Sequence, residues 1–345
     1  MSNSLVIAAD PLPLAYTLLS REQLRECLRR MILIRLFEEN AEQAYMRGLI
    51  HGTMHLSIGQ EASAVGVGAF LTDADKITST HRGHGHCIAK GADPARMFAE
   101  FFGKETGYCR GRGGSMHIAD VTRGNLGANG IVGGSLPIAV GAALALKQQK
   151  KADAVVCFFG DGASNEGAFH EALNMAALWR LPVVFVCENN KYGMSTSTER
   201  SMAVSNVADR AGAYAMPGVI VDGNRFADVA EAAYHALRRA RGGEGPTLIE
   251  CKTYRIRGHS RSDRNRYRTK EEIESWLARD PIERFKQQLL DAGLADARQV
   301  AAVHREVAAQ IEEAIEFAKA SPEPSLEHLT DFVYSPSQGA SEHGR

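Results

Sequence analysis

The chain has 345 residues, of which 44% are apolar and 23% are charged, as expected for a globular protein with a sizeable core. Lys and Arg total 40, and Asp and Glu total 41. This balance excludes a strong net positive charge that would favour binding to nucleic acid or to an anionic membrane. The six cysteines are scattered and form no Cys-x-x-Cys pair, so neither a disulfide framework nor a cysteine zinc site is predicted.

The N-terminal segment carries no recognisable targeting signal. It lacks a basic region ahead of an apolar core, and it lacks the Arg-rich pattern of an organelle transit peptide. No apolar run in the chain reaches membrane-spanning length. We therefore expect a cytoplasmic protein that contacts neither membrane nor nucleic acid, with residues 1–19 as an N-terminal tail.

The first long helix is predicted over residues 20–47. Ser20 is a suitable N-cap, and Gln23 stands at the capping-box position. The apolar positions of this segment form a broad face, which indicates that the helix is buried against a sheet or a partner.

A strand predicted over residues 76–80 runs into the Gly-spaced basic segment His81-Arg82-Gly83-His84-Gly85-His86. Three histidines at this spacing could suggest a metal site. However, alternate residues of a Gly-rich turn, with no acidic or cysteine partner, are a poor ligand set. An anion contact by Arg82 is the favoured interpretation.

Two Gly-rich stretches follow, at residues 108–115 and 124–137, and the second leads into a helix predicted over residues 138–147. Glycines carry a high cost in conformational entropy. Their density therefore indicates either close approach of the backbone to a ligand or a packed helix–helix interface. A plain surface loop is the alternative.

The central stretch is an apolar strand that ends in Gly160-Asp161-Gly162, followed by a predicted helix over residues 165–180 and a second strand that ends before Asn190. Ligands of parallel α/β sheets bind outside the carboxyl ends of the strands. Glycines and a helix N-terminus suit a diphosphate. Mg²⁺ prefers hard oxygen ligands, which Asp161, the Asn190 amide and the Tyr192 carbonyl offer.

The remaining pattern alternates strands and helices, with strands at residues 219–222 and 246–254 around a helix at residues 226–241. This order predicts an α/β fold in which a mostly parallel sheet has helices on both faces. Helices continue from residue 269, with breaks at Asp280-Pro281 and Ala292-Gly293. We expect one domain over residues 20–334, including a helical extension at 269–334, and a disordered tail at 335–345.

Gly160-Asp161-Gly162 followed by Asn189-Asn190 resembles the thiamine diphosphate motif. The span from residue 20 to 334 is similar to the alpha subunit of the thiamine-dependent first component of 2-oxo acid dehydrogenase complexes, with pyruvate and acetoin members. Further matching segments, in chain order, are His55 with Gly59-Gln60-Glu61-Ala62, His81-Arg82-Gly83-His84-Gly85, Gly113-Gly114-Ser115-Met116-His117, Asn129-Gly130-Ile131-Val132-Gly133, Lys191-Tyr192-Gly193 and Arg257-Gly258-His259-Ser260.

The resemblance implies that Asp161, Asn190 and the Tyr192 carbonyl hold Mg²⁺. It also implies a set of residues that contact thiamine diphosphate. Arg82, Gly162, Ala163 and His259 would contact the diphosphate, and Gly130 and Val132 would contact the aminopyrimidine through their backbone.

His55 would face the substrate, and His259 would act as the acid in transfer of the product group. The family often has tyrosine where this chain has His81. An imidazole can replace the phenol as a hydrogen-bond donor to phosphate, so His81 is included in the cofactor-binding set.

The resemblance also implies partners. The glutamate that activates the cofactor resides on a beta subunit in this family, so the active site should lie between subunits of an assembly with two alpha and two beta chains. The two-carbon unit would then pass to a lipoyl group on an acyltransferase core.

Four alternatives bear on the function. Pyruvate is the favoured substrate and acetoin the second, because some segments resemble pyruvate members and the segment from His81 resembles acetoin members. A branched-chain 2-oxo acid is disfavoured by His55 and by Gly160-Asp161-Gly162. A non-catalytic scaffold is disfavoured by the retained Asp161 and Asn190. A nicotinamide-dependent dehydrogenase lacks its Gly-x-Gly-x-x-Gly fingerprint here.

Overall fold

A six-stranded parallel sheet forms the centre of the computed structural model, which describes residues 12–260, 262–328, 330, 331 and 333. A separate two-stranded antiparallel hairpin follows the fourth strand. The strands are β1 Lys76–Thr80, β2 Asn125–Asn129, β3 Val155–Gly160, β4 Val183–Asn189, β5 Tyr192–Gly193, β6 Thr196–Ser197, β7 Gly218–Asp222 and β8 Thr247–Lys252. The order in the main sheet is β2-β1-β3-β4-β8-β7, with every neighbouring pair parallel.

Helices cover both faces of this sheet, which confirms the predicted α/β class. They are α1 Leu14–Leu18, α2 Arg21–Met46, α3 Glu61–Gly68, α4 His84–Ala89, α5 Pro94–Phe101, α6 Ser135–Gln148, α7 Gly167–Leu178, α8 Thr198–Ser201, α9 Phe226–Arg241, α10 Lys270–Leu277, α11 Pro281–Asp291 and α12 Ala297–Ala320. No helix within the described ranges is long and apolar enough to cross a membrane.

Alternate residues of the central strands enter two separate cores. Val155, Cys157 and Phe159 of β3 pack with α6 and α7 on one face, whereas Val156 and Phe158 pack with α9 on the other. Successive side chains of a strand point to opposite faces, so a strand covered on both sides is apolar throughout. This is why β3 and β4 read as continuous apolar runs.

Helix α2 organises a third core, outside the sheet. Its N-terminus has the predicted capping box, in which Gln23 N donates to Ser20 Oγ at 3.2 Å and Ser20 N donates to Gln23 Oε1 at 2.8 Å. Residues expected to be a tail include α1, where Tyr16 is buried and donates to Gln288 Oε1 of α11 at 2.7 Å. The predicted tail 335–345 lies outside the described residues.

Two segments differ from the sequence-based expectation. The stretch Asn125–Asn129, read as part of a Gly-rich loop, forms the edge strand β2, and His84–Ala89, read as a turn, forms the buried helix α4. Both segments have poor intrinsic propensity for their observed structure. Pairing with β1 and burial under α2 and α3 override that propensity.

The segment after the central motif also differs in detail. Asp161–Asn165 forms a 3₁₀ turn, and α7 starts only at Gly167. The two breaks predicted in the C-terminal extension are confirmed. Asp280-Pro281 lies after α10, at the start of α11, and Ala292-Gly293 lies between α11 and α12.

Helices α3 and α9 approach closely at Gly66. A Cβ atom at this position would lie 2.8 Å from Cβ of Val229, which is too close for real carbon atoms. Gly66→Ala should therefore lower the free energy of unfolding by about 1–3 kcal/mol through overpacking. Urea denaturation monitored by circular dichroism measures the change. As a matched control, Gly212→Ala has no atom within 4 Å of its new methyl group and should change stability by less than about 0.5 kcal/mol.

Candidate active site

A cavity of about 270 Å³ lies at the carboxyl ends of β1, β3 and β4. Nine of the eleven residues predicted for the site line it: His81, Arg82, Val132, Asp161, Gly162, Ala163, Asn190, Tyr192 and His259. Of the other two, His55 stacks edge-on against the rings of His81 and His259, and Gly130 lies between the lining residues Asn129 and Ile131. The sequence motifs, which are spread over some 200 residues, thus converge on one space.

Two side-chain oxygens that could bind a metal line the cavity after β3 and β4. Burial raises the pKa of Asp161, which is 3% exposed, to about 6, although backbone hydrogen bonds and the charge of Arg255 act against this rise. The Asn190 Nδ2 atom donates to Gln60 Oε1 at 2.8 Å, whereas Asn190 Oδ1 is buried without a donor among the described residues. A carboxylate beside a free amide oxygen is a donor set that fits Mg²⁺.

The third predicted metal ligand is already engaged. The Tyr192 carbonyl accepts a hydrogen bond of 2.7 Å from Nη1 of Arg255. The carbonyl oxygen has a second lone pair, so a metal ion would have to share it with this guanidinium.

Arg255, which sequence reasoning missed, fixes the loop that carries Asn190 and Tyr192. Its guanidinium also donates to the Met194 carbonyl and, at 2.8 Å, to the Tyr267 hydroxyl. Lys191 and Met194 have φ angles of 78° and 53°, in the left-handed region that non-glycine residues rarely adopt. The only sequence signal for this role is the position of Arg255 just after β8.

Arg82 and Arg255 give the cavity its positive charge. Both side chains are buried, and neither forms an ion pair with a carboxylate of the described residues. Arg82 donates to the carbonyls of Leu56 at 2.5 Å and His259 at 2.8 Å. Burial, followed by the charge of Arg255, lowers the pKa of Arg82 to about 9. Buried guanidinium groups without a carboxylate fit an anionic ligand.

The backbone around Gly160 and Gly162 leaves room for such an anion. No atom lies within 4 Å of a Cβ built at Gly160, and a Cβ at Gly162 would meet only Gly193 Cα, at 3.5 Å. The cavity therefore combines open glycine backbone, a cation-binding oxygen pair and two guanidinium groups, which is the set of donors that a metal-held diphosphate needs.

The imidazole rings of His55, His81 and His259 pack against one another beside the cavity. The ring centroids of His55 and His81 are 4.5 Å apart, those of His55 and His259 are 4.9 Å apart, and those of His81 and His259 are 5.9 Å apart. Burial, and then the charge of Arg82, lower the pKa of each ring, to about 3 for His81 and about 4 for His259. All three imidazoles are therefore neutral at pH 7.

One nitrogen from each ring lies within 4.8 Å of the others, close enough for a shared metal ion. However, the Arg82 guanidinium that disfavours a proton on these rings opposes a divalent cation as well. The three imidazoles are therefore better suited to hydrogen bonding and proton transfer with a bound molecule than to binding a metal ion.

His84 and His86 do not join His81. His84 Nδ1 lies 2.9 Å from Glu38 Oε2, and His86 Nε2 lies 3.2 Å from Glu188 Oε2, with all four side chains buried. The expectation that these histidines lack acidic partners was wrong, because the partners come from α2 and β4, far away in the sequence. Glu38 also accepts hydrogen bonds from Ser57, and so fixes the loop that carries His55.

Comparisons with known proteins agree with this arrangement. The family described as "Dehydrogenase E1 component" matches residues 29–327. The alpha subunit of acetoin:2,6-dichlorophenolindophenol oxidoreductase from Bacillus subtilis is 50% identical over 317 residues, which cover 92% of this chain and 95% of that protein. The subunit of the same name from Cupriavidus necator is 48% identical with the same coverage. Pyruvate dehydrogenase E1 component subunit alpha from Zymomonas mobilis is 43% identical over 311 residues, or 90% of this chain and 88% of that protein.

Removal of the Arg255 guanidinium should loosen residues 190–194, because two carbonyls lose their donor while Lys191 and Met194 keep their strained backbone. We expect Arg255→Met to raise amide hydrogen exchange in this loop by about tenfold or more. Mass spectrometry of the exchanged protein measures the change. Arg255→Lys, which retains one donor, should show a smaller increase, and equal exchange in all three proteins would contradict the assigned role.

Proposed function

This chain belongs to the family of dehydrogenase E1 components, and we propose that it is the alpha subunit of an enzyme that cleaves acetoin with thiamine diphosphate and Mg²⁺. The family is one of thiamine diphosphate-dependent oxidoreductases whose alpha subunits act together with beta subunits. The observation that carries the proposed cofactor is the presence of both kinds of charge in one cavity. The buried Asp161 carboxylate and the unpartnered Asn190 Oδ1 line the same cavity as the buried guanidinium groups of Arg82 and Arg255.

Similarity supports acetoin as the substrate. Two alpha subunits named for acetoin are 48–50% identical to this chain over nearly their whole length, whereas the alpha subunits named for pyruvate that we compared are 39–43% identical. Sequence motifs alone favoured pyruvate, because the segment after Asn190 and the segment after Tyr254 resemble pyruvate members. Pyruvate therefore remains the second candidate.

When bound, thiamine diphosphate would supply a positively charged thiazolium ring, which stabilises the electron pair left when the bond beside the substrate carbonyl breaks. Asp161, Asn190 and the Tyr192 carbonyl would hold Mg²⁺, with the side chain of Gln60 orienting the Asn190 amide. The diphosphate would contact Arg82 and the backbone of Gly162 and Ala163. Gly130 and Val132 would flank the aminopyrimidine.

The imidazoles would act on the substrate. His55 would face the substrate, because its buried Nδ1 has no partner among the described residues and its other nitrogen remains available. His259 would act as the acid when the two-carbon unit moves to a lipoyl group of the acyltransferase core, and because its imidazole is neutral at pH 7 it would first have to take up a proton. Its carbonyl is held by Arg82, and its backbone N–H donates to Asp263 Oδ2 at 2.8 Å, so its main chain is anchored on both sides.

A partner chain is supported by the apolar rim of the cavity. Ile131 is 73% exposed, Met194 65% and Val132 49%, although all three line the cavity. Exposed apolar groups around a polar site are typical of a surface that another subunit covers. We propose a beta subunit as this partner, in an assembly of two alpha and two beta chains, and as the source of the glutamate that activates the cofactor.

Product analysis of the reconstituted complex tests the substrate. With 2,6-dichlorophenolindophenol as electron acceptor, we expect kcat/KM for acetoin to exceed that for pyruvate by about tenfold or more. Acetaldehyde release from acetoin and carbon dioxide release from pyruvate identify the bond that breaks. The alpha chain alone should turn over neither substrate. A higher kcat/KM for pyruvate than for acetoin would refute acetoin as the substrate and support pyruvate.

Replacement of the metal-binding carboxylate tests the cofactor. Asp161→Asn keeps the size of the side chain but removes the negative charge that would attract Mg²⁺ and so hold the diphosphate. We expect the Kd for thiamine diphosphate at fixed Mg²⁺ to rise about 100-fold or more, since even outer-shell partners of a metal contribute 10–100-fold. Titration calorimetry measures it. Asp291→Asn, on the exposed end of α11, should bind like the native complex, and unchanged affinity in Asp161→Asn would refute the metal site.

A further inference from the structure

His81 differs from the two imidazoles beside it. His55 and His259 each have a buried Nδ1 without a partner among the described residues, so each leaves only its Nε2 available to a bound molecule. His81 lines the cavity, and neither of its ring nitrogens is buried or hydrogen-bonded within the part of the chain that the structure describes. Both nitrogens of His81 are therefore available to a bound molecule.

His81 packs against the other two imidazoles, those of His55 and His259. Its ring packs edge-on against His55, with an interplanar angle of 74°, and tilted against His259. The adjacent Arg82 directs its guanidinium to the carbonyls of Leu56 and His259 and leaves His81 free. Its contact with His55, the residue proposed to face the substrate, indicates that His81 also has a role toward the substrate.

The ring of His81 is neutral, as a proton acceptor must be. Burial and the charge of Arg82 keep its pKa low, which makes it a weak base while the cavity holds no anion. An anion bound by Arg82 and Arg255 would offset those charges. The basicity of His81 would then rise at the time when the site is loaded.

We propose that His81 is the base that removes the hydroxyl proton of the α-hydroxyketone substrate as its carbon–carbon bond breaks. The inference rests on the proposed function. The O–H bond breaks and its proton moves to a ring nitrogen of His81, and the oxygen forms the second bond of the aldehyde carbonyl. The carbon–carbon bond breaks, and bound thiamine diphosphate would stabilise the electron pair of that bond. No oxidant is consumed in this step.

A 2-oxo acid makes no such demand. Its cleavage releases carbon dioxide from a carboxylate that is already ionised, so no proton has to be removed. A base at His81 is therefore needed for cleavage of acetoin but not for decarboxylation of pyruvate. Its removal should impair cleavage of the hydroxyketone much more than decarboxylation of the oxo acid.

Two variants of the reconstituted alpha–beta complex, loaded with thiamine diphosphate and Mg²⁺, test this role. His81→Phe keeps a ring against His55 and His259 but removes both nitrogens, and His81→Ala opens space for added imidazole. We expect kcat for acetaldehyde release from acetoin to fall about 100-fold in each. Imidazole should restore part of the loss in His81→Ala only. His304→Ala, on the exposed surface of α12, is the control.

Cofactor affinity separates a base from a diphosphate contact. Calorimetry should give a Kd for thiamine diphosphate within about threefold of the native value in His81→Phe, and pyruvate decarboxylation should also change by less than about threefold. A loss of affinity that matches the loss of activity would overturn the base assignment, as would native acetoin turnover in His81→Phe. A native complex that releases no acetaldehyde from acetoin would overturn the proposed function as well.

Discussion

The parallel pairing of β3 with β4 is the constraint from which the site follows. Their register sets Gly160 opposite Glu188, so the loops that begin with Asp161 and Asn190 leave the sheet side by side. Both strands are apolar up to their carboxyl ends, where Gly160 ends β3 and Glu188-Asn189 ends β4, because helices cover both faces. Polar chemistry can therefore appear only where the strands end, and there the chain concentrates glycine, carboxylate, amide and imidazole groups.

The site contains charges that the protein itself does not neutralise. Asp161, Arg82 and Arg255 are buried without a direct ion pair among the described residues, which lowers stability in the absence of a ligand. Similar buried charges elsewhere are paired, such as Glu61 with Arg35 and Glu38 with His84. This difference in pairing distinguishes a binding site from a structural ion pair, and ligand binding recovers the stability that the empty site lacks.

Sequence patterns predicted the parts of the fold that local chemistry determines. The capping box at Ser20, the apolar strands and the convergence of Asp161 with Asn190 depend on spacing along the chain, and the structure agrees with each. Gln60, Arg255 and Glu38 could not be found in this way, because their roles depend on residues far away in sequence. Edge strand β2 and helix α4 were missed for a related reason, since tertiary packing overrides their weak propensities.

The exposed rim of Ile131, Val132 and Met194 has a consequence for how the protein is made in the cell. A chain synthesised without the proposed partner keeps this apolar surface in contact with water, where surfaces of this kind promote self-association. The amounts of the two chains therefore have to be matched. An excess of this one would be removed by aggregation or by quality control, even though each copy is correctly folded.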